Sequence, residues 1–188
     1  MPEVKYLETL ISAAQIEDKV TELARQIDRD YQGKDTVFLG ILKGSYVFMA
    51  DLARKVHLDR LEMNFMQVSS YENATSSSGN INIKLDLEND ISGKHVLIVE
   101  DIVDSGNTLA YLKSYLANRS AASVKICTIL NKPSRRKTNL EPDYYGFAIP
   151  DAFVVGYGLD YAQQYRQLPD VCILHFEDEA RQEGGKRI

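Results

Sequence analysis

The chain is poor in cysteine, lacks any long apolar run and carries no excess of positive charge, and each shortage closes off a class of function. Its two cysteines among 188 residues, Cys127 and Cys172, each lie within an apolar run and lack metal-ligand spacing. That excludes a disulfide framework or a zinc cluster and reads both as small core residues in a reducing cytosol. No amino-terminal apolar stretch resembles a signal peptide, and no segment approaches the ~20 apolar residues that a membrane helix needs. A cytoplasmic protein without a membrane partner is expected. The formal net charge of −5 argues against general affinity for nucleic acid, and Arg135, Arg136 and Lys137 form the one obvious basic cluster. His57, His95 and His175 pair with no motif and are given no catalytic role. No internal repeat, low-complexity tract or linker interrupts the chain, so residues 1–188 are expected to form a single domain.

What is present is the 44% hydrophobic and 26% charged content of an ordinary globular protein. Ser12 is placed to cap a helix, because Ile16, Val20, Leu23, Ala24, Ile27 and Tyr31 follow at three-to-four spacing up to Gly33. Val37 to Leu42 reads as a strand that turns at Lys43-Gly44-Ser45 into an amphipathic stretch holding Val47, Phe48, Leu52, Ala53 and Val56. Leu61 to Val68 and the alternating Ile81 to Leu87 flank the polar stretch Ser69 to Asn80, which reads as a long hairpin with a mobile loop. Further strands are expected at Val124 to Leu130, Tyr144 to Ile149, Phe153 to Tyr157 and Val171 to Phe176, with a frayed tail from Glu177 onward. Strands alternating with helices predict an α/β fold, a central mostly parallel sheet flanked by helices on both faces. The later short strands would form a small subdomain above it.

Between Val96 and Leu109 the chain reads V-L-I-V-E-D-I-V-D-S-G-N-T-L. An uninterrupted apolar run suits a buried parallel strand, and Leu109, Leu112, Tyr115 and Leu116 then recur at helical spacing. Glu100, Asp101 and Asp104 therefore sit at a strand's carboxyl end, where ligands of open α/β sheets bind. Asp104-Ser105-Gly106-Asn107-Thr108 offers hydroxyls, a glycine permitting close approach and free amides at a helix start, the elements of a phosphate cradle. Glu100 and Asp101 beside it are hard oxygen donors suited to Mg²⁺ or to ribose hydroxyls. Solvated strand-end acids are the plain alternative, and a helix N-cap is the plain alternative for Asp104. Together these residues point to a phosphorylated sugar held with magnesium.

This stretch resembles the thirteen-residue phosphoribosyl diphosphate (PRPP) signature of the type I phosphoribosyltransferases. Leu42-Lys43-Gly44-Ser45, Ser70-Tyr71, Lys132-Pro133-Ser134-Arg135-Arg136 and the run Pro150 to Tyr161 are similar to the hypoxanthine-guanine branch, in the same order over roughly residues 10 to 176. The resemblance implies transfer of phosphoribose from PRPP to a 6-oxopurine, with Mg²⁺ as cofactor and a homodimer or homotetramer as the assembly. It implies Asp104 as general base, with Glu100, Asp101, Asp104, Ser105, Gly106, Asn107 and Thr108 around the ribose and 5′-phosphate. It assigns Lys43, Gly44, Ser70, Tyr71 and Arg166 to pyrophosphate, with Ser70-Tyr71 heading a loop that closes over the reaction. Lys132, Phe153, Val154 and Asp160 fall on the purine side, and Glu100, Asp101 and Asp160 near metal. Lys43 reads equally as a surface or subunit-contact lysine, Lys132 alternatively as a solvated loop lysine, and Phe153, without the resemblance, as core. Asn107 departs from relatives that carry lysine there. Two other classes compete: a ligand sensor that binds RNA or DNA, disfavoured by the acidic charge, and a phosphoacceptor receiver, which needs no anion cradle.

Overall fold

A computed structural model describes residues 4–70 and 81–176. In chain order the elements are β1 (Val4–Ile11), α1 (Ala13–Tyr31), β2 (Thr36–Leu42), α2 (Tyr46–Ala53), β3 (Leu61–Ser70), β4 (Ile81–Leu85), β5 (His95–Val103), α3 (Asn107–Ala117), β6 (Ser123–Asn131), β7 (Tyr144–Ala148), β8 (Val154–Val155) and β9 (Val171–Phe176), with a 3-10 turn at Pro133–Arg135. Helix α1 forms because its six apolar positions fall on one face, and all six are buried. Its start is fixed by a reciprocal box: the Gln15 amide donates to Ser12 Oγ at 3.4 Å and the Ser12 amide donates to Gln15 Oε1 at 2.9 Å. Replacing Ser12 with alanine is expected to cost about 1 kcal/mol of stability. A lowered denaturant midpoint at unchanged slope would register that loss, and an unchanged midpoint would count against it.

Six strands form the main sheet in the order β4-β3-β2-β5-β6-β7. All neighbours are parallel except β4, which runs antiparallel to β3. Every residue of β2 except Leu42 is buried, as expected of a strand covered on both sides. Phe38, Leu97, Val99, Cys127 and Ile129 pack under α1 and α2. The alternate set, Val37, Leu39, Val96, Ile98 and Ile126, packs with Leu109, Leu112 and Leu116 of α3. Two cores on opposite faces explain why these strands read as continuous apolar runs rather than as alternating ones. Among the described residues, no helix is long and apolar enough to cross a membrane.

A second sheet, β1-β9-β8, is antiparallel throughout. It corrects three expectations. Tyr144 to Ile149 does not join this subdomain but extends the main sheet as β7. The strand expected over Phe153 to Tyr157 contracts to Val154–Val155, because Gly156 and Tyr157 take φ of +92 and +49, outside the extended region. Its edge strand is β1, a segment left unassigned from sequence. The loop residues Tyr71 to Asn80 and the tail from Glu177 lie outside the described residues, while Ser69 and Ser70 close β3 opposite Asn82 and Ile81.

Candidate active site

Strand β5 runs further than its apolar run suggests. Glu100 pairs with Thr128, Ile102 with Leu130 and Val103 with Asn131, so Glu100 and Asp101 lie within the ladder rather than beyond it. The solvated strand-end reading therefore fails: Asp101 is 9% exposed, and Glu100 Oε2 is buried with no hydrogen-bond partner. Burial, reinforced by the adjacent Asp101, pushes the Glu100 carboxyl well above the usual range. Desolvation likewise raises Asp101 to about 6, although the Ile102 amide donates to its Oδ1 at 2.7 Å. Asp101 keeps that one amide bond, whereas the buried Glu100 Oε2 lacks any hydrogen-donating partner.

Beyond Val103 the chain turns into α3, whose N-cap is Gly106 at φ +83, with no side-chain capping bond. Asp104 is therefore not the helix cap. A Cβ at Gly106 would stand 2.5 Å from Thr138 Oγ1, so close packing as well as the left-handed backbone calls for glycine here. Apart from a 3.4 Å bond from the Asn107 amide to Ser105 Oγ, the first-turn amides remain available to an anion. A cleft of 250 Å³ is lined by Gly44, Glu100, Asp101, Asp104, Ser105, Gly106 and Thr108 among others. Asn107 is exposed and does not line it.

The turn after β2 forms the opposite wall. The Leu42–Lys43 peptide bond is cis, and Gly44 lies so close to Asp101 that a Cβ would stand 1.6 Å from Asp101 Oδ2. Lys43 does not line the cleft, and its Nζ donates to Gln163 Oε1 at 3.2 Å. The Gln163 amide donates to Asp160 Oδ2 at 2.8 Å. Arg166 then pairs with Asp160 Oδ1 at 2.6 Å and donates to the Gly158 carbonyl at 2.7 Å. Arg166 and Asp160 are both close enough to act on the Asp101 carboxyl, the arginine lowering it and the aspartate raising it.

Because Val103 and Asn131 are paired neighbours, the residues that follow them, Asp104 and Lys132, leave the sheet side by side. Lys132 is 7% exposed and its Nζ donates to the Ala152 carbonyl at 2.9 Å, so it is not a solvated loop lysine. Two of its three protons remain for a ligand. Phe153, in contrast, is 49% exposed and so is not core. Its ring meets Tyr161 edge-on at 5.6 Å and Phe176 at 6.4 Å. Val154 is buried in β8 behind it. From sequence, Arg135 and Arg136 belong to a basic cluster and to a stretch that resembles the family, with no role given to either. Arg135 stands 3.5 Å from Asp104 Oδ1 and 3.5 Å from Asp151 Oδ2, whereas Arg136 is buried beneath the loop. Nothing local in R-R-K distinguishes the buried cation from its exposed neighbours.

The residues present fit magnesium. Glu100 and Asp101 offer hard oxygens, one of them buried and unpaired, and among the described residues no group of three or more His, Cys, Asp or Glu could hold a metal alone. That suits Mg²⁺, which is commonly held by one or two carboxylates with substrate oxygens and water completing its octahedron. Asp160 already accepts from Arg166 at one oxygen and from the Gln163 amide at the other, so it would offer a metal only its remaining lone pairs. The three histidines have partners elsewhere: His57 with Asp28, His95 with Ser123 and His175 with Glu8.

Residues 8–162 match the phosphoribosyl transferase domain family. The chain is 50% identical over 175 residues to the hypoxanthine phosphoribosyltransferase of Escherichia coli K12, covering 92% of this chain and 98% of that protein. It is 51% identical over 166 residues to the hypoxanthine-guanine phosphoribosyltransferase of Bacillus subtilis strain 168, covering 88% and 91%. A crystal structure of a Staphylococcus aureus hypoxanthine phosphoribosyltransferase superposes with a TM-score of 0.86 at 46% identity, covering 89% and 91%. With the parallel sheet, the acidic strand end and the uncapped helix start already in place, these likenesses along most of the chain mean that it belongs to the hypoxanthine-guanine phosphoribosyltransferase family.

Proposed function

We propose that the protein transfers the 5-phosphoribosyl group from PRPP to hypoxanthine and guanine, giving IMP or GMP and pyrophosphate. The observation that carries this reading is the emergence of Asp104 and Lys132 side by side from paired strands, one lining the phosphate cleft and the other bonded to Ala152 at the approach to β8. The amides and hydroxyls from Ser105 to Thr108 receive the 5′-phosphate, and Glu100 and Asp101 the ribose hydroxyls. Gly44 and Arg166 take the pyrophosphate, Lys43 joins them on leaving Gln163, and Ser70 and Tyr71, the latter outside the described residues, are assigned to the same group. Lys132 donates to O6 of the base, Phe153 stacks on its face, and the Val154 main chain and Asp160 meet its edge. A 6-amino group, itself a donor, is rejected by the lysine.

In the reaction N9 of the purine forms a bond to the anomeric carbon while the bond to pyrophosphate breaks and its electron pair leaves with that group. Asp104 accepts the proton from N7 as N9 attacks. Positive charge builds on the ribose and negative charge on the departing diphosphate, so fixed donors aimed at the diphosphate supply most of the acceleration. Mg²⁺, held by Glu100 and Asp101 with Asp160 nearby, would neutralise the diphosphate when bound. A cytoplasmic setting belongs to this reading, supported by two cysteines that are both buried and free. So does assembly as a homodimer or homotetramer.

Nucleotide formation from PRPP with hypoxanthine, guanine, xanthine and adenine, with and without Mg²⁺, tests the reading. Magnesium-dependent product is expected with hypoxanthine and guanine and none with adenine. Turnover of adenine at a comparable rate would overturn the assignment of Lys132, and no turnover of any base would overturn the function.

A further inference from the structure

Three successive carbonyls of the cleft loop are tied to one neighbouring segment. The Lys132 amide donates to the Val103 carbonyl at 2.9 Å, and the Lys137 amide donates to the Ser105 carbonyl at 2.9 Å. Between them Arg136 Nη1 donates to the Asp104 carbonyl at 2.6 Å. The other arm of the same guanidinium, Nη2, donates to Asn131 Oδ1 at the end of β6. This side chain is 8% exposed, and its nearest carboxylate, Glu141 Oε1, stands 3.8 Å from Nε. The Arg136 Cδ would lie 3.2 Å from a Cβ at Gly106, so the arginine forms the floor of the phosphate loop.

We infer that Arg136 is a positioning residue for the transfer, its two-armed guanidinium fixing the backbone of Asp104 against Asn131 and thereby against Lys132. The inference rests on the function proposed above. Of the three ties, two are backbone amides that any sequence would supply, and Arg136 is the side chain among them. The Asp104 carboxylate itself has only the long contact to the half-exposed Arg135, so its aim is set by its backbone. A planar fork can span two acceptors at once, which a lysine's point charge cannot. Misplacing a catalytic group by about 1 Å is enough to cost on the order of 10²-fold in rate.

The test measures kcat and both KM values for the full chain, for Arg136→Met and for Arg136→Lys, each alone and combined with Asp104→Asn. The lysine variant keeps the buried charge and guards against a fold that methionine would disturb. Arg136→Lys is expected to lower kcat on the order of 10-fold while shifting the KM for hypoxanthine by less than about threefold, with Arg136→Met lower still. In the Asp104→Asn background the same lysine substitution should change kcat by less than about twofold, because Arg136 acts through that residue. A parent-like kcat in Arg136→Lys, or losses that multiply in the double variant, would overturn the inference while leaving the function standing. A parent chain that forms no nucleotide overturns both.

Discussion

Replacing Asp104 with asparagine is expected to lower kcat by about 10²- to 10⁴-fold, the usual worth of a positioned proton acceptor, while leaving PRPP affinity within a few-fold of the parent. The geometry makes this a clean substitution. Asp104 does not cap α3, since Gly106 holds that place and no side chain caps the helix, so no helix-start contribution is lost with the carboxylate. Its ion pair with Arg135 spans 3.5 Å between half-exposed side chains, a type of contact that contributes little to stability. The loop's backbone ties do not involve the carboxylate, so the phosphate cradle should survive. Asparagine keeps the shape and removes the ability to take the N7 proton. Steady-state kcat for hypoxanthine, compared with calorimetric PRPP affinity, separates the two effects, and a kcat within about threefold of the parent would remove Asp104 from the role of base.

Gly44→Ala is expected to reduce kcat/KM for PRPP on the order of 10²-fold. A methyl placed 1.6 Å from Asp101 Oδ2 and 2.5 Å from its Cγ cannot be accommodated without movement. Asp101 is pinned within the β5 ladder, with its Oδ1 accepting from the Ile102 amide, so the side chain cannot simply swing aside. Either the turn after β2 retreats or the acid is displaced, and both walls of the cleft lose their spacing. The KM for hypoxanthine should move far less, because Lys132 and Phe153 are placed by the ends of β6 and β8 rather than by this turn. Equal losses in the constants for both substrates would indicate a general loss of fold, and parent-like kinetics would show that the close approach has no bearing on PRPP.

How much of this was legible in the sequence depended on how local each cause was. Helix α1 was readable because its cap and its apolar stripe are both written within twenty residues, and the central strands because burial on two faces leaves an unbroken apolar run. Strand β1 was not: seven of its eight residues are at least partly exposed in a pattern without alternation, and it is a strand only because β9 pairs with it from the other end of the chain. The extent of β5 past its acids was hidden for a similar reason, since Glu100 and Asp101 look like a solvated boundary until β6 is seen alongside them. Phe153 and Lys132 show the limits of residue-type expectation in both directions. The phenylalanine precedes β8 and is half exposed with only Tyr161 and Phe176 edge-on to its ring, and the lysine is buried with its ammonium bonded to the Ala152 carbonyl. Arg136 could not be singled out from Arg135 and Lys137, because its role depends on Asp104 and Asn131 converging on one guanidinium.

The most direct test of the account follows individual backbone amides while PRPP and Mg²⁺ are titrated into isotopically labelled protein. Saturable shifts at Ser105, Gly106, Asn107 and Thr108, joined by Gly44, are the expected result and would place the activated sugar across the two walls of the cleft. Saturation with these five amides unmoved would contradict it.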